Sequence, residues 1–421
     1  MLNIAISFIV LAFFLLLVVY VLILIANNSR ALAINKDRAV LDAQLLKTRV
    51  DQIMHAKQLD DERARLSWNG FRKFRIVSKV KETPDITSFY LSPHDGKPLP
   101  KFFPGQFITF QLQIQGHANP VTRCYSLSDS PFYPDRYRVT IKRVPPPIDN
   151  PDAPAGLVSN YFHDNLNESD IVDVKAPSGQ FYIDMFAKGP VVLIAGGVGI
   201  TPVLSMLNAL IEVESQREIW FFLGVRNKKE HLMKEHLEMV EKANANVNLK
   251  IFYSSPEETD IKDVDYHVQG RVTVDNFKPF LSSNNYDFYI CAPPQMIKDL
   301  RSDLADWGVP KANIHFEAFG PATVKKIKKD STKKPASKID IQFIKTGKTL
   351  PWNPDLSSLL EFAGKNSINL DSGCQVGNCG TCLTAIIKGE VTYVSEPATP
   401  PEEGSCLTCI AIPKGNLALD A

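Results

Sequence analysis

Three cysteines at fixed spacing restrict this chain more than any other feature. Cys374, Cys379 and Cys382 lie in the stretch Asp371-Ser-Gly-Cys-Gln-Val-Gly-Asn-Cys-Gly-Thr-Cys. The C-x4-C-x2-C spacing aims three thiolates inward from one loop, and the glycines between them permit tight turns free of side chains. Backbone N–H groups in such a loop also reach the sulfurs and stabilise added negative charge. Joined by a distant fourth cysteine, this is a [2Fe–2S] pattern. A zinc site, the competing reading, usually brings its cysteines as separated C-x2-C pairs rather than as one glycine-rich loop.

Two cysteines compete for the fourth position, Cys406 and Cys409. The segment Leu407-Thr-Cys409-Ile-Ala-Ile-Pro resembles the last ligand segment of plant-type ferredoxins. That resemblance favours Cys409 and leaves Cys406 as a thiol outside the ligand set. Of the chain's seven cysteines, these five fall in one C-terminal stretch. An odd, clustered count argues against a secreted disulfide framework and for redox or metal chemistry in a reducing compartment.

The N-terminus has a different character. From Ile4 to Ala26 there is no charged residue, and Leu, Val, Ile and Phe dominate. A helix rising about 1.5 Å per residue needs roughly 20 such residues to cross a bilayer core, so an N-terminal transmembrane helix is expected over 1–28. A cleaved signal peptide is the alternative, with Ala31-Leu32-Ala33 as its site, but no Lys or Arg precedes the run. Arg30, Lys36 and Arg38 follow it, which places the later domains on the cytoplasmic side of the inner membrane in a single-pass arrangement. Residues 29–69 have a helical composition. Their stripe of Ala39, Ala43, Leu46, Val50 and Ile53 suits either a solvated stalk or a docking helix.

From residue 70 the periodicity changes. Alternating runs at Phe74–Val80, Ile86–Leu91, Phe107–Ile114 and Tyr137–Val144 predict an antiparallel β domain over 70–186. Strands at Val191–Ala195, Ile219–Leu223, Leu249–Tyr253 and Asp287–Cys291 alternate with helical segments and predict a parallel, helix-covered sheet over 187–320. Residues 321–338 hold seven lysines and one aspartate and read as a linker. A third unit runs over 339–421. The formal net charge of +1 gives a nucleic-acid partner no electrostatic support.

Five motifs carry the remaining chemistry. Arg123-Cys-Tyr125-Ser126 closes a strand. Ala155-Gly156-Leu-Val158-Ser159 opens a helix, whose free N–H groups attract anions. Ala195-Gly196-Gly197-Val-Gly199-Ile-Thr201-Pro202 joins a buried strand to a helix, a context that favours a dinucleotide pyrophosphate. Tyr289-Ile-Cys291-Ala-Pro-Pro-Gln-Met296 ends a later strand, and Glu317-Ala-Phe319-Gly320 closes the unit. Together these resemble the R-x-Y-S, G-x-x-S, G-G-x-G-x-T-P and C-G-P-x-x-M motifs of the ferredoxin–NADP reductase superfamily, with Ala292 where the family usually has Gly.

The resemblance covers residue 70 to the end and implies a multidomain fold. Its parts are an antiparallel β-barrel flavin domain, an α/β nucleotide domain and an α+β β-grasp ferredoxin domain. It implies that Arg123 pairs with a flavin phosphate, Tyr125 packs on the flavin, and Ser126 reaches its reactive nitrogen. Lys142, Gly156, Val158 and Ser159 join the flavin set. Gly196, Gly197, Gly199, Thr201 and Pro202 serve the nucleotide, Cys291 lies beside the nicotinamide, and Phe319 shields the flavin face. The implied cofactors are FAD or FMN, NADH or NADPH, and the [2Fe–2S] cluster. Gly224-Val-Arg226-Asn-Lys228-Lys229 offers cations to a 2′-phosphate, whereas Glu257 and Glu258 suit a ribose hydroxyl and favour NADH. The expected acceptor is a membrane oxygenase, hydroxylase or desaturase. A quinone, or a fixed place in a membrane complex, is the alternative.

Overall fold

The structure is a computed structural model. It describes residues 2–421 apart from 118–119, 147–150, 153, 319–338, 374, 376, 378–379, 395–396 and 398–399. The chain divides into two compact units, Met1–Ala64 and Arg65–Ala421.

The first unit is one helix, α1 (Leu2–Leu66). No Gly or Pro interrupts it, so nothing in the sequence breaks the i→i−4 ladder. Leu46, Val50 and Ile53 of its apolar stripe are exposed. The expected transmembrane helix is corrected here: among the described residues no helix is long and apolar enough to cross a membrane.

The second unit opens with an antiparallel sheet. Its strands are β1 (Arg72–Thr83), β2 (Ile86–Pro93), β3 (Phe107–Leu112), β4 (Val121–Ser126), β5 (Tyr137–Lys142) and β6 (Ile171–Ser178). They lie in the order β4-β3-β6-β1-β2-β5. Alternate residues Phe74 and Ile76, Phe89 and Leu91, Ile108 and Phe110, Val172 and Val174 are buried on one face. Helix α2 (Leu157–Asp164) closes that face, with Phe162 edge-on to Phe89 and Phe110. The expected barrel is not closed. Among the described residues the two edge strands meet through one isolated bridge, Leu127 to Val139, where a barrel needs a continuous staggered ladder.

The next sheet is parallel. It comprises β7 (Val191–Gly196), β8 (Ile219–Val225), β9 (Val247–Tyr253), β10 (Val268–Gln269), β11 (Asp287–Ala292) and β12 (Ile314–Ala318). Its helices are α3 (Ile200–Glu212), α4 (Lys234–Ala243), α5 (Val274–Phe277) and α6 (Pro294–Asp306). The order β10-β9-β8-β7-β11-β12 reverses direction beside β7, so a crevice opens beyond the ends of β7 and β11. Every residue of β7 is buried, as a strand covered on both faces requires.

The C-terminal part holds β13 (Asp340–Phe343), β14 (Lys348–Pro351), α7 (Leu359–Lys365), β15 (Leu383–Lys388), β16 (Val391–Tyr393), β17 (Ser405–Leu407), β18 (Ala411–Pro413) and β19 (Leu417–Leu419). A mixed sheet in the order β14-β13-β19-β15-β17 carries one parallel pair, β13 with β19. Phe362 of α7 stacks on Phe343 beneath it. Ser358 caps α7 by accepting from the Glu361 N–H, while the Glu361 carboxylate accepts from Ser357.

Candidate functional site

All three parts of the second unit wall one cavity of about 970 Å³. The antiparallel sheet contributes Arg123, Tyr125 and Ser126 from the end of β4. Pairing with β3 sets Ser126 opposite Phe107 and Tyr125 opposite Ile108. The Tyr125 ring is edge-on to Phe110 and Phe162, and burial raises its phenol well above the ordinary range. Arg123 donates from Nη1 to the Thr122 carbonyl at 2.7 Å. Lys142 lines the same cavity, held between Asp85 at 3.3 Å and Glu230 at 3.8 Å.

The N-terminus of α2 faces this space. Gly156, Leu157, Val158 and Ser159 all line it, and the N-cap Gly156 supplies no side-chain acceptor. The first N–H groups of α2 therefore have no side-chain cap, which suits an anionic ligand. The Ser159 hydroxyl donates back to the Gly156 carbonyl at 3.3 Å.

On the parallel sheet, Val198 and Thr201 form the wall, and the Thr201 hydroxyl donates to the Val198 carbonyl at 3.1 Å. Gly196, Gly197 and Gly199 make the turn from β7 into α3, and Pro202 is buried in that helix. A Cβ on Gly199 would overlap the Cys291 carbonyl oxygen and lie 2.7 Å from its carbon. The ladder between β7 and β11 pairs Ala195 with Cys291, so the turn and the Cys291 motif are seated on each other. Cys291 itself is fully buried, and burial with Glu317 beside it raises its thiol far above the usual range. The neighbouring Glu317 and Ala318 of β12 line the cavity. Phe319 lies outside the described residues.

The third wall comes from the cysteine-bearing part. Cys409 lines the cavity, and its sulfur stands 3.1 Å from that of Cys382. Both are buried. Cys374 and Cys379 lie outside the described residues, so half of the expected ligand set is placed here. Cys406 sits apart, in the core with Phe343 and Phe362, where burial pushes its thiol up to about 12. It belongs to a different buried cluster from the Cys382–Cys409 pair. Two buried sulfurs in contact at the end of a glycine-rich loop fit shared coordination of a metal cluster. The cavity's volume, cation, capless helix and buried ring fit a flavin nucleotide.

Sequence reading missed the contribution of α7. Ser357, Leu360, Glu361 and Gly364 line the cavity from its side. The Ser358-x-x-Glu361 pattern marks this helix start in the sequence, but it says nothing of what the helix faces. At the far end of the nucleotide sheet, Lys229 pairs with Glu257 at 2.8 Å and Lys228 with Asp265 at 3.0 Å. Arg226 lies 3.9 Å from Glu230 and is mostly exposed.

Three family models match the chain: the oxidoreductase FAD-binding domain over residues 73–183, the oxidoreductase NAD-binding domain over 193–302, and the 2Fe-2S iron-sulfur cluster binding domain over 342–414. A flavohemoprotein of Bacillus cereus is 42% identical over 256 residues, which is 61% of this chain and 62% of that one. A flavohemoprotein of Bordetella pertussis is 37% identical over 257 residues, with the same shares. The chain thus spans about 62% of the length of these curated relatives. Among solved structures, the flavohem-like FAD/NAD-binding domain of nitric oxide dioxygenase from Vibrio cholerae is 30% identical with a TM-score of 0.54, covering 60% of this chain and 100% of that one. Phthalate dioxygenase reductase, described as a modular structure for electron transfer from pyridine nucleotides to [2Fe–2S], is 26% identical with a TM-score of 0.54. It covers 84% of this chain and 98% of that one.

Proposed function

The chain belongs to the ferredoxin–NADP reductase superfamily and carries a C-terminal [2Fe–2S] ferredoxin domain, and on that basis we propose that it passes electrons from NADH to a protein acceptor of the oxygenase, hydroxylase or desaturase kind. The observation that carries this reading is the shared cavity, where the flavin motif on β4, the nucleotide side at Val198 and Thr201, and Cys409 are walls of one space. When bound, flavin and cluster together supply the conversion of a two-electron hydride into single electrons.

The chain's own residues hold and orient. The Arg123 guanidinium and the first N–H groups of α2 take the flavin phosphates, and Tyr125 and Ser126 fix the ring. The turn from Gly196 to Thr201 takes the nucleotide pyrophosphate at the N-terminus of α3. Cys291 acts through its backbone, which seats that turn. Cys374, Cys379, Cys382 and Cys409 are the cluster ligands in this reading. Leu360 and Glu361 of α7 complete the wall of the cavity on the side of the cysteine-bearing part.

NADH is favoured because two of the three cations offered to a 2′-phosphate, Lys228 and Lys229, already pair with Asp265 and Glu257, and the third, Arg226, is mostly exposed 3.9 Å from Glu230. The cysteine chemistry requires reduced thiols, which supports a reducing compartment such as the cytoplasm for these units. An anaerobic titration with NADH and with NADPH tests the whole reading. Flavin absorbance and then cluster absorbance should fall with NADH, and at much lower concentration than with NADPH. Flavin bleaching without any change in the cluster would sink it.

A further inference from the structure

The cluster loop touches the flavin-binding sheet at two points on its first flank. Lys175 of β6 is 3.4 Å from the Asp371 carboxylate. The Thr122 hydroxyl of β4 donates to the Ser372 carbonyl at 3.4 Å. Strand β3 runs between β4 and β6, so the two contacts straddle it. Two separated points restrict rotation to the axis that joins them, which one contact does not. The second flank of the loop is held differently: a gap of about 410 Å³ separates Gly380 and Thr381 from Ala176 to Ser178 and from Trp68.

From this geometry we propose that Lys175, Thr122, Asp371 and Ser372 form the docking latch that sets how the cluster loop sits against the flavin cavity. The inference rests on the electron path proposed above. No bond changes at the latch, so its members are positioning residues. Lys175 is prepared for the role, with its ammonium 5.2 Å from the centre of the Phe71 ring. Thr122 connects to the flavin side as well. Its carbonyl accepts from Arg123 while its hydroxyl holds Ser372, so one residue touches both the proposed phosphate cation and the cluster loop.

The contacts are weak by construction. The Asp371 side chain is 77% exposed and that of Lys175 is 28% exposed, so salt screens their attraction. An ion pair of this kind changes a docking equilibrium by a factor of about two to five. The latch therefore trims the rate of transfer and makes it sensitive to ionic strength.

The test follows single-turnover reduction by NADH in the full holoprotein, reading flavin and cluster absorbance separately. Lys175→Gln and Asp371→Asn should slow the cluster phase by about two- to fivefold and flatten its salt dependence, with the flavin phase as internal control. The exchanged pair, Lys175→Asp with Asp371→Lys, should recover the rate. Amide hydrogen exchange over residues 371–382 should rise in each single variant and fall back in the exchanged pair. Unchanged cluster kinetics and exchange, equal slowing of both phases, or no recovery in the exchanged pair would overturn the latch. Were the unsubstituted protein to bleach its flavin but never its cluster, the electron path itself would fall, and the latch with it.

Discussion

At Gly199 the turn after β7 rests on backbone, whereas at Gly377 the cluster loop rests on a side chain. A Cβ on Gly199 would overlap the Cys291 carbonyl oxygen, with the Ala292 nitrogen 3.1 Å away. A Cβ on Gly377 would overlap the tip of Ile410 and lie 3.1 Å from its Cγ1. Both turns border the same cavity, yet they are held by different means. The first is pinned by a ladder of parallel strands and has no room to yield. The second packs at Gly377 against one rotatable side chain. The turn after β7 is thus a rigid seat, whereas the neighbour of Gly377 can rotate.

The largest expected effect comes from removing that coordination. Cys409→Ser should eliminate the visible absorbance and the reduced-state EPR signal of the cluster, while NADH still bleaches the flavin. Cys406→Ser should leave both signals, because Cys406 packs with Phe343 and Phe362 rather than with Cys382. Loss of the cluster in Cys406→Ser and its survival in Cys409→Ser would reverse the assignment and break the comparison at its cluster end.

The sequence discloses these two ends unevenly. The alternation of β1, β2, β3 and β5 and the apolar run of β7 are visible as periodicity, because each buries its face locally. Strand β6 is not: Val172 and Val174 alone point inward, Asp173 and Lys175 point out, and Pro177 sits near its end. Its place at the centre of the sheet comes from pairing with β1 and β3, both distant in sequence. Glycine and cysteine spacing locates the cluster loop and the turn after β7, since their chemistry demands those residue types. The wall made by α7 and the contacts of Asp371 and Ser372 are invisible in the sequence, because they depend on how two separately folded parts meet. The barrel expectation failed for a related reason: strand count is local information, whereas closure depends on register between β4 and β5. For the apolar N-terminal run, composition alone suggested a span that the described helix does not supply.

The next effect is at the rigid seat. Gly199→Ala places a methyl group against backbone that belongs to the buried ladder of β7 and β11. Overpacking of a fixed core costs about 1–3 kcal/mol, and a backbone obstacle puts this case at the upper end. Thermal unfolding should move down by several degrees, and affinity for NADH should fall because the turn must shift away from Cys291. Shortening the neighbour's side chain by Cys291→Ala should not rescue it, since the obstacle is the carbonyl. A rescue would show that the seat yields like a side chain.

The smallest effect, and the most discriminating, is at Gly377. Its φ of 80° is a conformation that costs a residue with a Cβ about 1–2 kcal/mol. The steric part is different, because the obstacle is the Cδ1 of Ile410, a side chain that is fully buried but rotatable. Gly377→Ala should therefore lower stability by the backbone term plus a part that Ile410→Val removes, since valine lacks the offending methyl. Denaturant unfolding of the single and double variants separates the two, provided Ile410→Val alone is measured and subtracted. If the coupling is favourable by a few tenths of a kcal/mol or more, the loop rests on a side chain as described. If the double variant is merely additive, the obstacle at Gly377 is backbone after all, and the two turns are held in the same way.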